Sequence, residues 1–324
     1  MDNKCIICQC SFSRKIVKNF DDYTNEQFII NICNECGIGI TDVNSNFDVS
    51  KYYPSVYYGE NRKRFSWFVE LLVQNFRFFR IRFIQKQLSN NIKNIKVLDI
   101  GCGRGTELQA LNTIGWDCYG TEHSIEDLNH LLEKGITIFN EEQLFNCKFH
   151  NDKFNIITLW HVLEHIINPN DLLLEIHRIL TKGGILIIEV PNFGSLQAKL
   201  NRSKWIYTET PRHLYHYTIQ SLTKLLKDKS FNIKSISTQS IEFGPIGFIT
   251  NLFNLIISEK NLLFKLLFKQ KQNRISEDSI FINIVNYLFI LILILPFSLI
   301  SIFLEIFAII FKKGSVIRIV AEKL

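Results

Sequence analysis

The chain has 324 residues, enough for one large domain with additions or for two domains. Hydrophobic residues make up 47% and charged residues 21%, which excludes an intrinsically disordered chain. The net charge of +6 permits an anionic partner without demanding one. Asn, Ile, Lys and Phe are abundant, as an A- and T-rich coding sequence alone would make them.

The first ten residues are polar and hold Cys5, Cys8 and Cys10, so no secretory leader is expected. Of the eight cysteines, four form two C-x-x-C pairs, Cys5/Cys8 and Cys33/Cys36, with 24 residues between the pairs. Two intervening residues let a tight turn aim both thiolates at one ion, and a second such turn closes a tetrahedral site. A closed four-thiolate site leaves no open position for catalysis, so the expected ion is a structural zinc in a small ribbon spanning 1–50. The run Phe28 to Ile32 reads as a strand entering the second turn, and Cys10 is a spare thiol. Metal ligation rather than disulfides points to a reducing compartment.

Residues 51–90 begin with a tyrosine-rich linker containing Pro54 and Gly59. A basic, aromatic helix is expected over 61–89, with Arg62, Lys63, Arg64, Arg77, Arg80 and Arg82. Its basic face is either solvated or in contact with a membrane or nucleic acid.

Strands and helices then alternate. Strands are expected at 96–100, 117–121 ending at Glu122, 136–139, 154–159 and 185–190, with helices at 105–114, 125–134 and 169–180 between them. A helix near 218–229 precedes two further strands, 231–239 and 316–323. Apolar runs separated by helices imply a parallel sheet buried on both faces. Ligands of such sheets sit beyond the C-terminal strand ends. There the sequence places Val97-Leu-Asp-Ile-Gly-Cys-Gly-Arg-Gly105, a strand breaking into a glycine-rich turn and then a helix. Its G-x-G-x-G spacing is not that of a dinucleotide site. Glu122 follows Gly101 by 21 residues and suits the two hydroxyls of a ribose.

Val97 to Gly105, Glu122, Trp160-His-Val-Leu-Glu-His165 and Pro191-Asn192 together resemble a class I S-adenosylmethionine-dependent methyltransferase. More closely, the chain is similar to a bacterial branch with H-V-L-E-H after strand four and R-H-L-Y-H-Y-T later, here Arg212 to Thr218. The resemblance covers roughly 95–240 and the last strand. It implies an α/β fold: a doubly wound, seven-stranded, mostly parallel Rossmann-like sheet. The zinc ribbon and a hydrophobic helical insertion before the last strand are additions to it. The implied divisions are 91–244 for the core, 245–314 for the insertion and 315–324 for the last strand.

The resemblance also implies roles. Asp99 and the backbone at Gly101, Cys102, Gly103 and Gly105 would hold the methionine part of S-adenosylmethionine, Glu122 its ribose, and Asn140 or Glu141 would lie near the adenine. Trp160 belongs to the same cofactor side. His161 and His165 would sit at the mouth of strand four. Methyl transfer from a sulfonium needs alignment and sometimes a base. His213 and His216 are the base candidates, since histidine titrates near working pH. The Arg212–Thr218 segment is also similar to the E-H-x-x-Y-F-S stretch of zinc-bearing deoxysugar C-methyltransferases. Arg212 replaces the acid of that pattern, which points away from carbon and toward oxygen as acceptor.

Residues 280–304 form 25 consecutive residues without a formal charge. The strand at 316–323 should return to the sheet, so one membrane crossing would strand it on the far side. Pro296 splits the run, and basic residues flank it: Lys265, Lys269, Lys271 and Arg274 before, Lys312 and Lys313 after. The expectation is a monotopic hairpin over 280–311, or a protein-packed helical cap. Relatives in surface-polysaccharide pathways carry a comparable tail, matched here by Gly314-Ser315 and Lys323.

These readings converge on a methyltransferase on the cytoplasmic face of a membrane, peripheral or monotopic. O-methylation of a saccharide or lipid-linked intermediate of envelope polysaccharide synthesis is the first expectation. A quinone or other small molecule is the alternative acceptor, and a non-catalytic binding protein the alternative class. Nucleic acid is not expected, because no basic cluster lies near the ribbon.

Overall fold

The computed structural model describes residues 4–11, 16–21, 24–44, 47–53, 78–88, 94–123, 125, 128–140, 149–240, 242–257, 259–267 and 279–324. Most of the tyrosine-rich linker, most of the expected basic helix, Glu141 and the segment with Lys269, Lys271 and Arg274 lie outside them. The strands in chain order are β1 (Ile16–Phe20), β2 (Gln27–Ile32), β3 (Gly39–Thr41), β4 (Lys96–Ile100), β5 (Asp117–Glu122), β6 (Thr137–Asn140), β7 (Phe154–Trp160), β8 (Leu180–Pro191), β9 (Tyr215–His216), β10 (Phe231–Ser237) and β11 (Val316–Lys323). The helices used below are α1 (Thr106–Thr113), α2 (Asn129–Leu132), α3 (Pro169–Ile179), α4 (Leu196–Asn201), α5 (Ile219–Asp228), α6 (Gly244–Ile256), α7 (Leu262–Leu267) and α8 (Ser279–Ile310).

The chain divides into two compact units, each built from three separated segments. One unit comprises Asn75–Val190, Ile219–Ser237 and Ile317–Leu324. It holds the seven-stranded sheet, in the order β10-β11-β8-β7-β4-β5-β6. Pairings β8–β7, β7–β4, β4–β5 and β5–β6 are parallel, and β10–β11 is antiparallel. The expected Rossmann-like, mostly parallel sheet is therefore present. Strands β4 and β7 are apolar runs buried on both faces, as parallel strands covered by helices must be. Edge strand β10 is mostly exposed. The chain winds outward in opposite directions from β4 and β7, so the topological switch point lies between them.

Helix α3 shows how sequence sets the local structure. Pro169 occupies its first turn, where a missing N–H costs nothing, and Asp171 faces the positive helix end. Leu172, Leu173, Ile176 and Ile179 then recur on one buried face.

The other unit comprises Met1–Gln74, Pro191–Thr218 and Thr238–Val316. The ribbon is thus not a free-standing module. Its antiparallel strands continue into β9, in the order β1-β2-β3-β9. The Pro191-Asn192 and Gly314-Ser315 motifs meet here: Asn192 Nδ2 donates to the Gly314 carbonyl at 2.8 Å and Asn192 N to the Ser315 carbonyl at 2.9 Å. A Cβ at Gly314 would lie 2.1 Å from the Thr238 carbonyl oxygen, so only glycine fits.

The insertion corrects one expectation. Pro296 does not break it into two helices; α8 runs for 32 residues through the proline. Proline removes one helical hydrogen bond and crowds the preceding turn. That cost is offset by packing of Ile249 and Phe253 of α6, Ile257 just after it, and Leu262 and Leu263 of α7 on Ile290, Leu293, Ile294 and Phe297. The Phe253 and Phe297 rings lie 4.9 Å apart, one residue beyond the proline. Ser298 Oγ also donates to the Ile294 carbonyl at 2.6 Å.

Candidate cofactor site and four-cysteine centre

The cofactor candidates lie at the C-terminal ends of β4, β5 and β7. Asp99 ends an apolar strand, is 5% exposed, and accepts a 2.6 Å hydrogen bond from Thr158 Oγ1 across the β4–β7 switch point. Burial first, then the charge of Glu107, pushes its carboxyl well above the usual range; the Thr158 bond and the charge of Arg80 oppose them. Gly101 has φ +69°, and a Cβ there would come within 2.5 Å of Val162 Cγ2. The valine of H-V-L-E-H thus packs on the glycine turn, which gives a physical reason for the two motifs to occur together. At Gly103 a Cβ would meet no described residue within 4 Å, so among the described residues the backbone is open to a ligand. Cys102 contributes backbone only, since its side chain packs toward the core and a Cβ at Gly120 would lie 2.8 Å from its Sγ.

Glu122 Oε2 accepts from Gly103 N at 2.6 Å and Oε1 from His123 N at 3.0 Å. The sheet register sets Asn140 beside Glu122. Asn140 Nδ2 donates to the His123 carbonyl at 3.2 Å, so this corner of the sheet is cross-braced. A cavity of about 390 Å³ is lined by Ile125, Leu128, Asn129, Leu132 and Ile138, four apolar side chains and one amide that could take a flat ring. The turn, the paired carboxylate and this cavity fit the polar and apolar parts of S-adenosylmethionine.

Trp160 is 9% exposed and belongs to the core cluster. The Arg80 guanidinium lies 4.4 Å and that of Arg318 5.6 Å from its ring centroid. Arg80 also pairs with Glu107 at 2.7 Å, so this residue of the expected basic helix is engaged within the unit rather than presented to a partner.

His161 lies between two buried carboxylates. Nε2 is 3.3 Å from Glu189 Oε1 and Nδ1 is 3.5 Å from Glu164 Oε1. Burial lowers the imidazole pKa, but the hydrogen bonds and charges of Glu164 and Glu189 outweigh it and raise it to about 9. Burial likewise opposes ionisation of Glu189, yet His161, Arg318 and Arg80 hold it down to about 2. Arg318 completes the cluster with two contacts of 2.5 Å to Glu189 Oε2. An imidazolium with both nitrogens turned to carboxylates has no lone pair to offer, so His161 does not serve as a base. Its linkage gives a pH prediction. Between pH 6.5 and about 9 the folded chain holds a proton that the unfolded chain has released, so this contribution is full below 6.5 and is lost as pH rises through about 9. The urea midpoint is expected to decline across that window, and less steeply in His161→Asn. His165 closes the single 3₁₀ turn after β7, its N–H donating to the Val162 carbonyl at 2.9 Å.

His213 and His216 belong to the other unit, and local bonds distinguish them. His213 Nδ1 is 3.0 Å from the Tyr207 carbonyl. A carbonyl only accepts, so Nδ1 carries the proton and Nε2 is the basic nitrogen. Thr41 Oγ1 donates its one proton to the His213 carbonyl at 2.6 Å, so it accepts from His216 Nε2 at 3.0 Å. Burial holds His216 down to about 3, neutral at working pH. Bonded in this way, His216 is a structural donor. Arg212, 3% exposed, donates to Asp21 Oδ1 and to the Tyr52 carbonyl, both at 3.1 Å.

The four ribbon cysteines come together, with their sulfurs all within 4.8 Å of one another. Separations include 3.6 Å for Cys5–Cys36, 3.3 Å for Cys8–Cys33 and 3.9 Å for Cys8–Cys36. A tetrahedral zinc with ~2.3 Å bonds needs edges of ~3.8 Å. Burial pushes the Cys5 thiol up to about 11 and Cys36 higher still, while at Cys8 burial is outweighed by hydrogen bonds with the Cys10 backbone and the Cys33 thiol, which bring it down to about 7; a bound cation would favour the thiolate form of all four. Cys10 lies apart from the four-sulfur group, its thiol toward the Cys8 carbonyl at 3.5 Å.

Sequence reading missed Thr158, Glu189, Arg318 and Thr41. Glu189 was detectable: a charge inside the apolar run Ile185 to Val190 requires a buried partner.

Comparison with known proteins adds the following. The family model described as a methyltransferase domain matches residues 73–236. The chain is 29% identical over 123 residues to the ubiquinone biosynthesis O-methyltransferase of Actinobacillus pleuropneumoniae serotype 7 (strain AP76), covering 35% of this chain and 52% of that protein. It is 23% identical over 185 residues to the protein of the same name from Bordetella avium (strain 197N), covering 53% and 76%. The chain thus spans about half the length of the first of these relatives. A SAM-dependent methyltransferase from Archaeoglobus fulgidus has a similar structure, with a TM-score of 0.46 and 19% identity over 80% of this chain and 100% of that one.

Proposed function

The chain belongs to the methyltransferase domain family, in its class I S-adenosylmethionine-dependent form, and on that premise we propose that it methylates a hydroxyl of a small, ring-bearing lipid of the quinol type. The observation that carries the cofactor half is Glu122 paired with Gly103 N beside open space at the strand ends. The relatives' printed name, an O-methyltransferase of ubiquinone biosynthesis, supports oxygen as acceptor and favours a quinone-type ring over the saccharide suggested by the closer resemblance.

S-adenosylmethionine supplies a methyl group on a positively charged sulfur. The chain's own residues bind, orient and move a proton. Glu122 takes the ribose hydroxyls, and the methionine part lies along the backbone of the glycine turn. His213 Nε2 receives the acceptor's hydroxyl proton as the oxygen–carbon bond forms and the sulfur–carbon bond breaks. Its Nδ1–H stays on the Tyr207 carbonyl, which fixes the tautomer. His213→Gln is expected to lower kcat by about 10²- to 10⁴-fold with the cofactor Kd unchanged. An unchanged kcat would remove His213 from this role.

We assign zinc to Cys5, Cys8, Cys33 and Cys36 as a structural ion. We also assign α8 to a membrane surface on the cytoplasmic side. Leu291, Ile292, Leu295, Leu299, Phe303 and Ile310 share an outward stripe, each at least 67% exposed, while the opposite side packs on α6. An apolar stripe of this length on one side of a packed helix suits the headgroup–acyl boundary.

The test is a methyl-label transfer assay on host extract divided into lipid, soluble-metabolite and RNA fractions. Label in a lipid that partitions with quinones supports the proposal. Label in a lipid-linked saccharide or nucleotide sugar returns the acceptor to the envelope-polysaccharide reading, and label in RNA overturns both.

A further inference from the structure

We propose that the four-cysteine centre positions the His213 segment, with Thr41 and Thr218 as the positioning residues. The inference rests on the zinc and His213 assignments above. It follows from how residues 212–218 are attached within their own unit. Strand β9 pairs with β3 at Gly39–His216 and Ile40–Tyr215. Thr41 N donates to the Leu214 carbonyl at 2.9 Å, and Thr41 Oγ1 donates to the His213 carbonyl at 2.6 Å while accepting from His216 Nε2 at 3.0 Å. Thr218 Oγ1 donates at 2.9 Å to the carbonyl of Cys36, itself one of the four cysteines. Arg212 reaches Asp21 just after β1. The base-bearing segment therefore takes its backbone position from the ribbon at both ends and in the middle.

The ribbon cannot hold that position by apolar packing alone. Its strands have five, six and three residues, and among its described residues Ile30 and Ile38 are the only fully buried aliphatic side chains. Modules of this size need a metal or disulfides to fold, and its cysteines form no disulfide. Metal occupancy then sets whether β3 exists for β9 to pair with. The seven-stranded sheet carries Asp99 and Glu122 on its strands and Gly103 on the turn after β4, none of which the ribbon contributes to. Losing the metal should remove transfer to the acceptor while leaving cofactor binding in place.

The experiment uses the full chain, its metal content measured as purified, then stripped with a chelator under reducing conditions. Hydrogen–deuterium exchange is read on peptides covering 209–218 and 97–105. Stripping is expected to speed exchange in 209–218 by about 100-fold or more, with 97–105 within about twofold, and added Zn²⁺ to restore protection. The S-adenosylmethionine Kd should stay within about threefold. Metal-loaded Thr41→Val should lose about tenfold in kcat with Kd and metal content unchanged and an altered acidic limb of the pH profile, the limb that a base sets. Thr41→Ser, which keeps the hydroxyl, should recover most of it. Thr218→Val provides a second variant, expected to raise exchange in 213–218 alone. Unchanged exchange in 209–218 after verified metal loss overturns the inference. A chain that binds no metal overturns it together with the zinc assignment. Zinc-dependent exchange without transfer to any acceptor upholds the coupling and overturns the function instead.

Discussion

Glu122→Ala is expected to weaken S-adenosylmethionine binding by about 150-fold while leaving the fold intact. Hydrogen bonds to a charged group contribute about 1.5–3 kcal/mol each, and two ribose hydroxyls at the lower end give ~3 kcal/mol. The carboxylate also braces the glycine turn through Gly103 N and His123 N, so its removal loosens the turn that the ligand must meet. Glu122 is only partly buried at the edge of the site, so its loss leaves no cavity in the core. Glu122→Gln keeps the shape and one acceptor but loses the charge, and should cost about tenfold. Calorimetric titration measures the affinities and circular dichroism checks the fold. An affinity unchanged in Glu122→Ala would remove the ribose assignment.

Arg212→Ala is expected to destabilise the chain by about 3–5 kcal/mol, a large share of the ~5–15 kcal/mol that holds a domain folded. The Arg212 side chain is 3% exposed and that of Asp21 0%. Truncating the arginine leaves a carboxylate without its counter-ion in the interior and leaves the Tyr52 carbonyl without this donor. A surface pair of the same geometry would contribute only about 0–1 kcal/mol. Replacing both partners together, Arg212→Met with Asp21→Leu, should recover much of the loss, because the uncompensated charge is then absent. Urea denaturation measures both variants. A wild-type midpoint in Arg212→Ala would mean that Asp21 finds another partner. This pair also accounts for an arginine where the zinc-bearing C-methyltransferases have an acid: its side chain is committed to the ribbon.

The middle of the sheet was readable because β4, β7 and β8 carry apolar runs, the first ended by Gly101 and the last by Pro191. The turn from Gly101 to Gly105 also fixes where the first of them stops. The four cysteines were readable from spacing alone. Other features depend on long-range packing. Strand β9 has two residues, too few to show any period, and exists because β3 offers it an edge. The Arg318–Glu189–His161 cluster joins three segments separated by up to 157 positions, and it sets His161, expected only at the mouth of strand four, between carboxylates. His213 and His216 look equivalent in sequence. The bonds of Thr41 and Tyr207 assign them different tautomers and different roles. At Pro296 the local rule for helix breaking lost to packing of α6 and α7 on both sides of the proline.

The most direct test of the central claim is formation of S-adenosylhomocysteine by the purified chain given S-adenosylmethionine and a lipid extract. The account predicts product that accumulates only with extract present, matches the methyl groups found in the acceptor mole for mole, and disappears in Glu122→Ala. No product above background, together with no saturable binding of S-adenosylmethionine, would contradict it.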